Sequence, residues 1–196
     1  IPGAVAVVCL VMMTGSLRMQ DIIQAQGGMG DMLLSKGHAE DIVAVQQLFY
    51  AYLFYHDTHD GPGVASLFTP DGVYWMPPEP GHTHWDGMPA IFAEDKNIMT
   101  VRMKRVLHPD AWSQVPLWGT NHVVGNVVVD KASANGDVVV RSRFHMLEMR
   151  RDNVRHFAGQ YTHHLKKTKK GYVIKLQRVD MTNAQAAYDY VLQVWV

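Results

Sequence analysis

The stretch "VVVRSRFHMLEM", Val138 to Met149, decides the fold. Val138, Val140, Phe144 and Met146 alternate with Arg141, Arg143 and His145, the period of a strand with one dry face and one wet face. Working backward, "NGD" (Asn135 to Asp137) is a tight-turn sequence joining this strand to an apolar run from His122 to Val129. Working forward, "RRDN" leads into Val154 to Lys166, and "KKTKKG" leads into Tyr172 to Met181. Four long strands at hairpin spacing predict an antiparallel meander. Lys166, Lys167, Lys169 and Lys170 form the only basic run, and Gly171 closes it, so they read as a solvated hairpin tip.

Upstream of the strands the period changes. "AEDIVAVQQLFYAYLFYHD" places Ile42, Val45, Leu48, Phe49, Tyr52 and Leu53 on one helical face, with Glu40 and Asp41 in the first turn and His56 in the last. "DGPGVASLFTPDG" predicts a break, a short helical turn and a second break, and "VYWMPPEPG" a strand stopped by prolines. "GMPAIFAEDKNIMTVRMKRVLH" reads as a second amphipathic helix on Ile98, Val101, Met103, Val106 and Leu107, ended by Pro109. Helices first and strands after predict a single α+β domain over residues 37–196, with helices packed on one face of a curved antiparallel sheet.

Composition narrows the function. The chain has 196 residues, with 18 Lys plus Arg against 18 Asp plus Glu. That balance offers neither a nucleic-acid tether nor a polybasic membrane patch. Cys9 is the only cysteine, so no internal disulfide and no cysteine-based zinc or iron–sulfur site can form, and a cytoplasmic location is expected. Residues 1–36 read as an N-terminal arm or linker. "IPGAVAVVCLVMMTG" is too short to span a bilayer, and "QAQGGMGDMLLSKG" is glycine-rich. Met19, Met29 and Met32 are candidate later starts, which makes a non-native start an alternative, and a cleaved leader is another.

Candidate chemistry is sparse. "HDTHD" (His56, Asp57, His59, Asp60) has metal-ligand residue types but sits where the first helix stops. His82 and His84 fall in a proline-glycine loop, and His163 and His164 are strand neighbours that face opposite sides. No phosphate-binding loop or nucleophile elbow is present. One trio remains. Tyr52, Asp57 and His122 could converge inside a cone, with His122 as a base alpha to a carbonyl, Asp57 orienting it and Tyr52 polarising the oxygen. Their bland reading is as satisfied structural residues.

Five blocks in order carry a resemblance: "LFTPDGVYWMP", "EDKNIMTVRMKRVLHPDAWSQVP", "TNHVVGNVVVD", "VVVRSRF" and "FAGQYTHHLKKTKKGYVIKLQRVDMTNA". Together, from about Glu40 to Val196, they resemble the small (beta) subunit of Rieske non-haem-iron aromatic-ring-hydroxylating dioxygenases. Asp95, Arg102 and Arg105 to Leu107 match the family's helix. Trp112, Ser113, Gln114 and Pro116 match its turn, and His122, Asn126 and Val127 its strand. Asn121 and Gln114 depart from the usual arginine and glutamate.

The resemblance implies the cone fold of nuclear transport factor 2 and the SnoaL-like enzymes, which also include scytalone dehydratase. It implies a mostly structural role in aromatic-compound catabolism, in a hexamer of three alpha and three beta chains in which the beta chains also meet as a trimer. The alpha subunit would hold a Rieske [2Fe–2S] cluster and a mononuclear iron, fed from NAD(P)H through a reductase, with or without a ferredoxin. No cofactor or metal is expected in this chain, because one cysteine cannot supply a Rieske centre. Candidate interface residues are the loop aromatics Tyr74, Trp75, Trp112 and Trp118, with Met76 and Arg105; the rings' alternative is to cap the cone from inside. The tail "YDYVLQVWV" is apolar and β-prone, so it is expected to pair in the sheet or lie under a subunit. A free-standing dehydratase or isomerase using the trio is the competing function, and a ligand-binding cone without turnover a third.

Overall fold

The computed structural model describes residues 39–188 and 190–196. The expected arm, its candidate starts and Cys9 therefore lie outside the described residues. Helix α1 (Ala39–Asp57) is followed by α2 (Gly61–Ser66), β1 (Phe68–Met76), β2 (Phe92–Glu94) and α3 (Lys96–Arg105). A short 3-10 turn (Trp112–Gln114) leads to β3 (Gly119–Ala132), β4 (Val138–Arg150), β5 (Asn153–Thr168) and β6 (Gly171–Met181). The six strands form one curved sheet in the order β2-β1-β6-β5-β4-β3. The meander β3 to β6 is antiparallel as its alternation predicts, while β1 joins β6 in parallel.

Helix α1 buries Val45, Leu48, Phe49, Tyr52 and Leu53, the face its spacing predicts, and packs against β3 and β6. Its first turn is tied to the far hairpin, because Asp41 accepts from Lys167 Nζ at 2.7 Å and from Tyr172 Oη at 2.9 Å. β4 buries Val138, Val140, Ser142, Phe144, Met146 and Glu148, and β5 buries Phe157, Tyr161, His163 and Leu165. The inward positions of β6 switch parity, from Tyr172 and Ile174 to Gln177, Val179 and Met181. An irregularity opposite His164 and Leu165 inserts the extra residue.

Two positions let the sheet bend. Asn126 takes φ 52° at a register shift in β3, a left-handed conformation that asparagine adopts more easily than a branched residue. Gly159 lies so close to β6 that a Cβ there would meet Asp180 O at 2.2 Å and Phe144 Cε1 at 2.9 Å. Only glycine fits without moving a strand.

Three expectations are corrected. The predicted second helix is split: Phe92–Glu94 is a strand paired with β1, and α3 starts after Asp95, whose side chain caps it by accepting from Asn97 N and Ile98 N at 2.9 Å. That start turns Met99 and Met103 inward, leaving Ile98, Val101 and Leu107 at the surface. The helix also ends at Arg105, before Pro109. The expected break at "FTPDG" is instead the bulged first half of β1. Finally, the apolar tail is not a strand of the sheet, and Val191 within it is exposed. It crosses the chain irregularly, and Trp195 and Val196 are buried in the core.

Candidate functional site

The end of α1 supplies the interior group. His56 points into the core, and Asp57 follows it toward β3. Thr58 Oγ1 donates to Phe54 O at 2.7 Å, His59 turns at φ 60°, and Asp60 caps α2 through Gly63 N. The termination reading of "HDTHD" is correct for the last three residues. Asp57 does more: its carboxylate accepts from Thr120 Oγ1 at 2.9 Å, from His122 N at 3.0 Å and pairs with His122 Nδ1 at 2.6 Å. Burial pushes the Asp57 carboxyl up, but the bonds from His122 and Thr120 outweigh it and hold the group below its ordinary value. A carboxylate only accepts, so His122 Nδ1 carries the shared proton. His122 Nε2 is then left sealed from solvent without a partner.

Two members of the predicted trio therefore meet. Tyr52 lies one turn back on α1, its ring edge-on to His56 at 4.6 Å, and it makes no ring contact with His122. Its hydroxyl is buried beside Gln177, without a well-formed hydrogen bond, and burial raises its pKa. Tyr161, His163 and Gln177 line the same interior, with polar atoms that also lack partners. Burial lowers both His56 and His163 to about 3. His163 faces in while His164 faces out, as strand alternation requires. Among the described residues no three His, Cys, Asp or Glu side chains converge as metal ligands.

The residue that closes this interior is one the sequence reading assigned elsewhere. Trp195 stacks on Tyr74 at 3.8 Å and an interplanar angle of 3°, and reaches Phe68 at 6.1 Å and His56 at 5.8 Å. Tyr74 Oη donates to Val196 O at 3.2 Å and accepts from Val196 N at 3.3 Å. Nothing in the local pattern of "YDYVLQVWV" reveals this; only the topology brings the tail to β1.

The outer candidates divide. Tyr74, Trp75, Met76 and Trp118 are buried within the chain, so they are not surface anchors. Trp75 packs under Arg178 at 4.5 Å, and Trp118 lies among Arg150, Arg155 and Tyr190. Only Tyr74 and Met76 of these face the core; Trp75, between them on β1, and Trp118 are covered by other parts of the chain. Trp112 is 82% exposed. Val115 at 65% and Leu117 are exposed in the same segment and line one groove with Leu107 at 64%; on α3, Val101 is 69% exposed. The turn is held from behind: Arg105 Nη2 donates to Ser113 Oγ at 2.6 Å, and Arg150 Nη2 to Ser113 O at 3.1 Å. Gln193 Oε1 accepts from Gln114 Nε2 at 3.2 Å. Arg105 thus works inside the chain, where a carboxylate across a subunit boundary had been one expectation.

An α+β cone with α1 laid across a curved six-stranded sheet, an acid–histidine pair inside and a braced aromatic turn outside defines the class. Within it, residues 55–186 match the model of the family described as "Ring hydroxylating beta subunit". The chain belongs to that family. Solved structures agree on the fold. The beta subunit of benzoate 1,2-dioxygenase from Burkholderia mallei is similar at 18% identity, with TM-score 0.60 over 91% of this chain and 100% of that one. A naphthalene 1,2-dioxygenase structure with indole bound in the active site has a similar chain at 14% identity, TM-score 0.70, covering 92% and 95%. A candidate scytalone dehydratase from Novosphingobium aromaticivorans matches at 17% identity and TM-score 0.55, covering 77% and 88%. The cone is shared by both kinds of relative, so fold alone does not separate them; the family match groups the chain with the beta subunits. No helix among the described residues is long and apolar enough to cross a membrane.

Proposed function

We propose that this chain is the architectural subunit of a multicomponent oxygenase that adds dioxygen to an aromatic acid or hydrocarbon. Its partner is an alpha subunit that carries the Rieske cluster and the mononuclear iron, in a cytoplasmic α3β3 assembly in which the beta chains also contact one another. Electrons reach the alpha subunit from NAD(P)H through a reductase, with or without a ferredoxin. The chain's own residues do not fit the cluster, because a Rieske centre takes two cysteines and the sequence holds one.

The observation that carries the reading is the surface around Trp112. A large ring projects from a turn whose backbone is fixed by Arg150 and whose side chains are fixed by Arg105 and Gln193. Val115 and Leu117 follow it in the same segment and line one groove with Leu107, and α3 leaves Ile98 and Val101 exposed as well. Apolar side chains concentrated this way mark an association surface. A tryptophan held on a braced turn loses little rotamer freedom when covered. Trp112→Asp tests it in co-expression with the alpha subunit. The expected result is loss of the hexamer in size-exclusion chromatography with light scattering, while circular dichroism of the chain is unchanged. A hexamer that forms as in wild type would sink the assignment of this surface.

A further inference from the structure

The indole of Trp195 occupies a slot built as a ligand site is built. One wall is a flat aromatic face, Tyr74, at stacking distance; Phe68 stands edge-on and His56 tilted at its sides. At one edge lies Glu94, buried at 3% exposure, whose Oε1 pairs with Arg102 at 2.5 Å. Glu94 Oε2 has no hydrogen-bond partner, and neither does His56 Nε2. Trp195 sits close enough to Glu94 to interact with its carboxyl, yet its own Nε1–H makes no well-formed bond. Buried acceptors without donors are costly, by an amount a donor in the right place recovers. Behind His56, at 5.8 Å between ring centres, stands His122 with Nε2 unpaired and Asp57 on its other nitrogen.

We infer that the cone interior is a binding site for a planar bicyclic arene bearing an N–H or O–H donor on its edge, and that Trp195 is its intramolecular occupant. The stacking wall sets the planarity, and the indole sets the size. Glu94 Oε2, which accepts and cannot donate when ionised, sets the need for a donor. The occupant is carried on residues 190–196, which form neither strand nor helix, and a molecule that takes its place competes with a tethered ring. The tail also links the slot to the outer turn, because Gln193 bonds Gln114 two residues before Trp195. This inference stands on the slot alone and does not depend on the subunit reading.

The test deletes the occupant and returns it as a free molecule. The isolated full chain and its Trp195→Ala variant are titrated with 3-methylindole, the tryptophan side chain itself, and with 1,3-dimethylindole, which lacks the donor. Isothermal titration and thermal unfolding are read together. Expected are saturable binding of 3-methylindole to Trp195→Ala with a rise in its unfolding midpoint, and no saturable response in wild type. The dimethyl compound should bind about fivefold more weakly, the loss of one hydrogen bond. A folded variant that does not saturate up to the compound's solubility limit overturns the inference, and so does wild-type binding of equal strength. Equal binding of both compounds overturns the donor requirement and with it the ligand class. Should Trp195→Ala not fold unaided, refolding yield in each compound reads the same preference. Absence of rescue by 3-methylindole then counts against the site.

Discussion

Acidifying the chain from pH 6 to pH 5 should cost it more stability than its surface charges explain, with His163 and His56 contributing about equally to the excess. His163 is 1% exposed, packed 4.4 Å from Phe49 and 5.5 Å from Tyr161, with neither ring nitrogen in a well-formed hydrogen bond. Burial lowers it, and His56 with it, from 6.5 to about 3. Between those values the unfolded chain takes up a proton on each residue while the folded chain does not. Stability is therefore intact above the unfolded pKa and falls as the pH drops below it, by about 1.4 kcal/mol per pH unit for each histidine. Two such groups give a slope of about 2.7 kcal/mol per unit. His163→Met, close in volume and unable to ionise, should leave stability at pH 7 within about 1.5 kcal/mol of wild type. It should also reduce the slope between pH 6 and 5 by roughly 1.3 kcal/mol. Urea unfolding followed by circular dichroism at fixed protein concentration measures both, and contributions from carboxylates cancel between the two proteins. An unchanged slope would mean that His163 is charged in the folded chain, and the buried-neutral description of the interior would be wrong.

Two structural predictions follow from backbone geometry and capping. Gly159→Ala should lower stability by more than about 3 kcal/mol or prevent folding, since the added carbon meets the β6 backbone at Asp180, a contact that no side-chain rotation relieves; a thermal melt within a few degrees of wild type would contradict the close approach of β5 and β6. Asp95→Ala should cost about 1 kcal/mol through loss of the α3 cap, with Asp95→Asn recovering most of it in the same melt.

Most of the sheet was legible because its strands are long and one-sided. Val138 to Met149 alternates cleanly, and that pattern alone fixes which residues of β4 face in. The parity switch in β6 was not legible, because "YVIKLQRVDM" contains two correct alternations joined out of phase at a bulge. The short strand β2 was hidden inside a helical pattern, since three residues carry no period of their own. At the site, Asp57 and His122 were found because an acid at a helix end and a histidine opening a strand are the residue types such a pair needs. Thr120 and Trp195 were missed. A threonine in a strand looks like any other β-former, and a tail tryptophan shows its contact only when β1 is known to lie beside β6. The buried positions of Tyr74, Trp75, Met76 and Trp118 were open in the sequence for a related reason: aromatics in proline-rich segments look the same whether they cap a core or wait for a neighbour.

If the chain serves oxygenation by assembly, the Asp57–His122 pair takes no part in the oxygenation step. His122→Asn keeps an N–H to hold Asp57 and removes the ring's other nitrogen, so it separates packing from proton transfer. In the oxygenase reconstituted with the alpha subunit and its electron donors, turnover of an aromatic substrate per alpha subunit should match wild type when hexamer content is matched. A fall of tenfold or more in an intact hexamer, a barrier rise of about 1.4 kcal/mol, would contradict that account and put His122 in the chemistry.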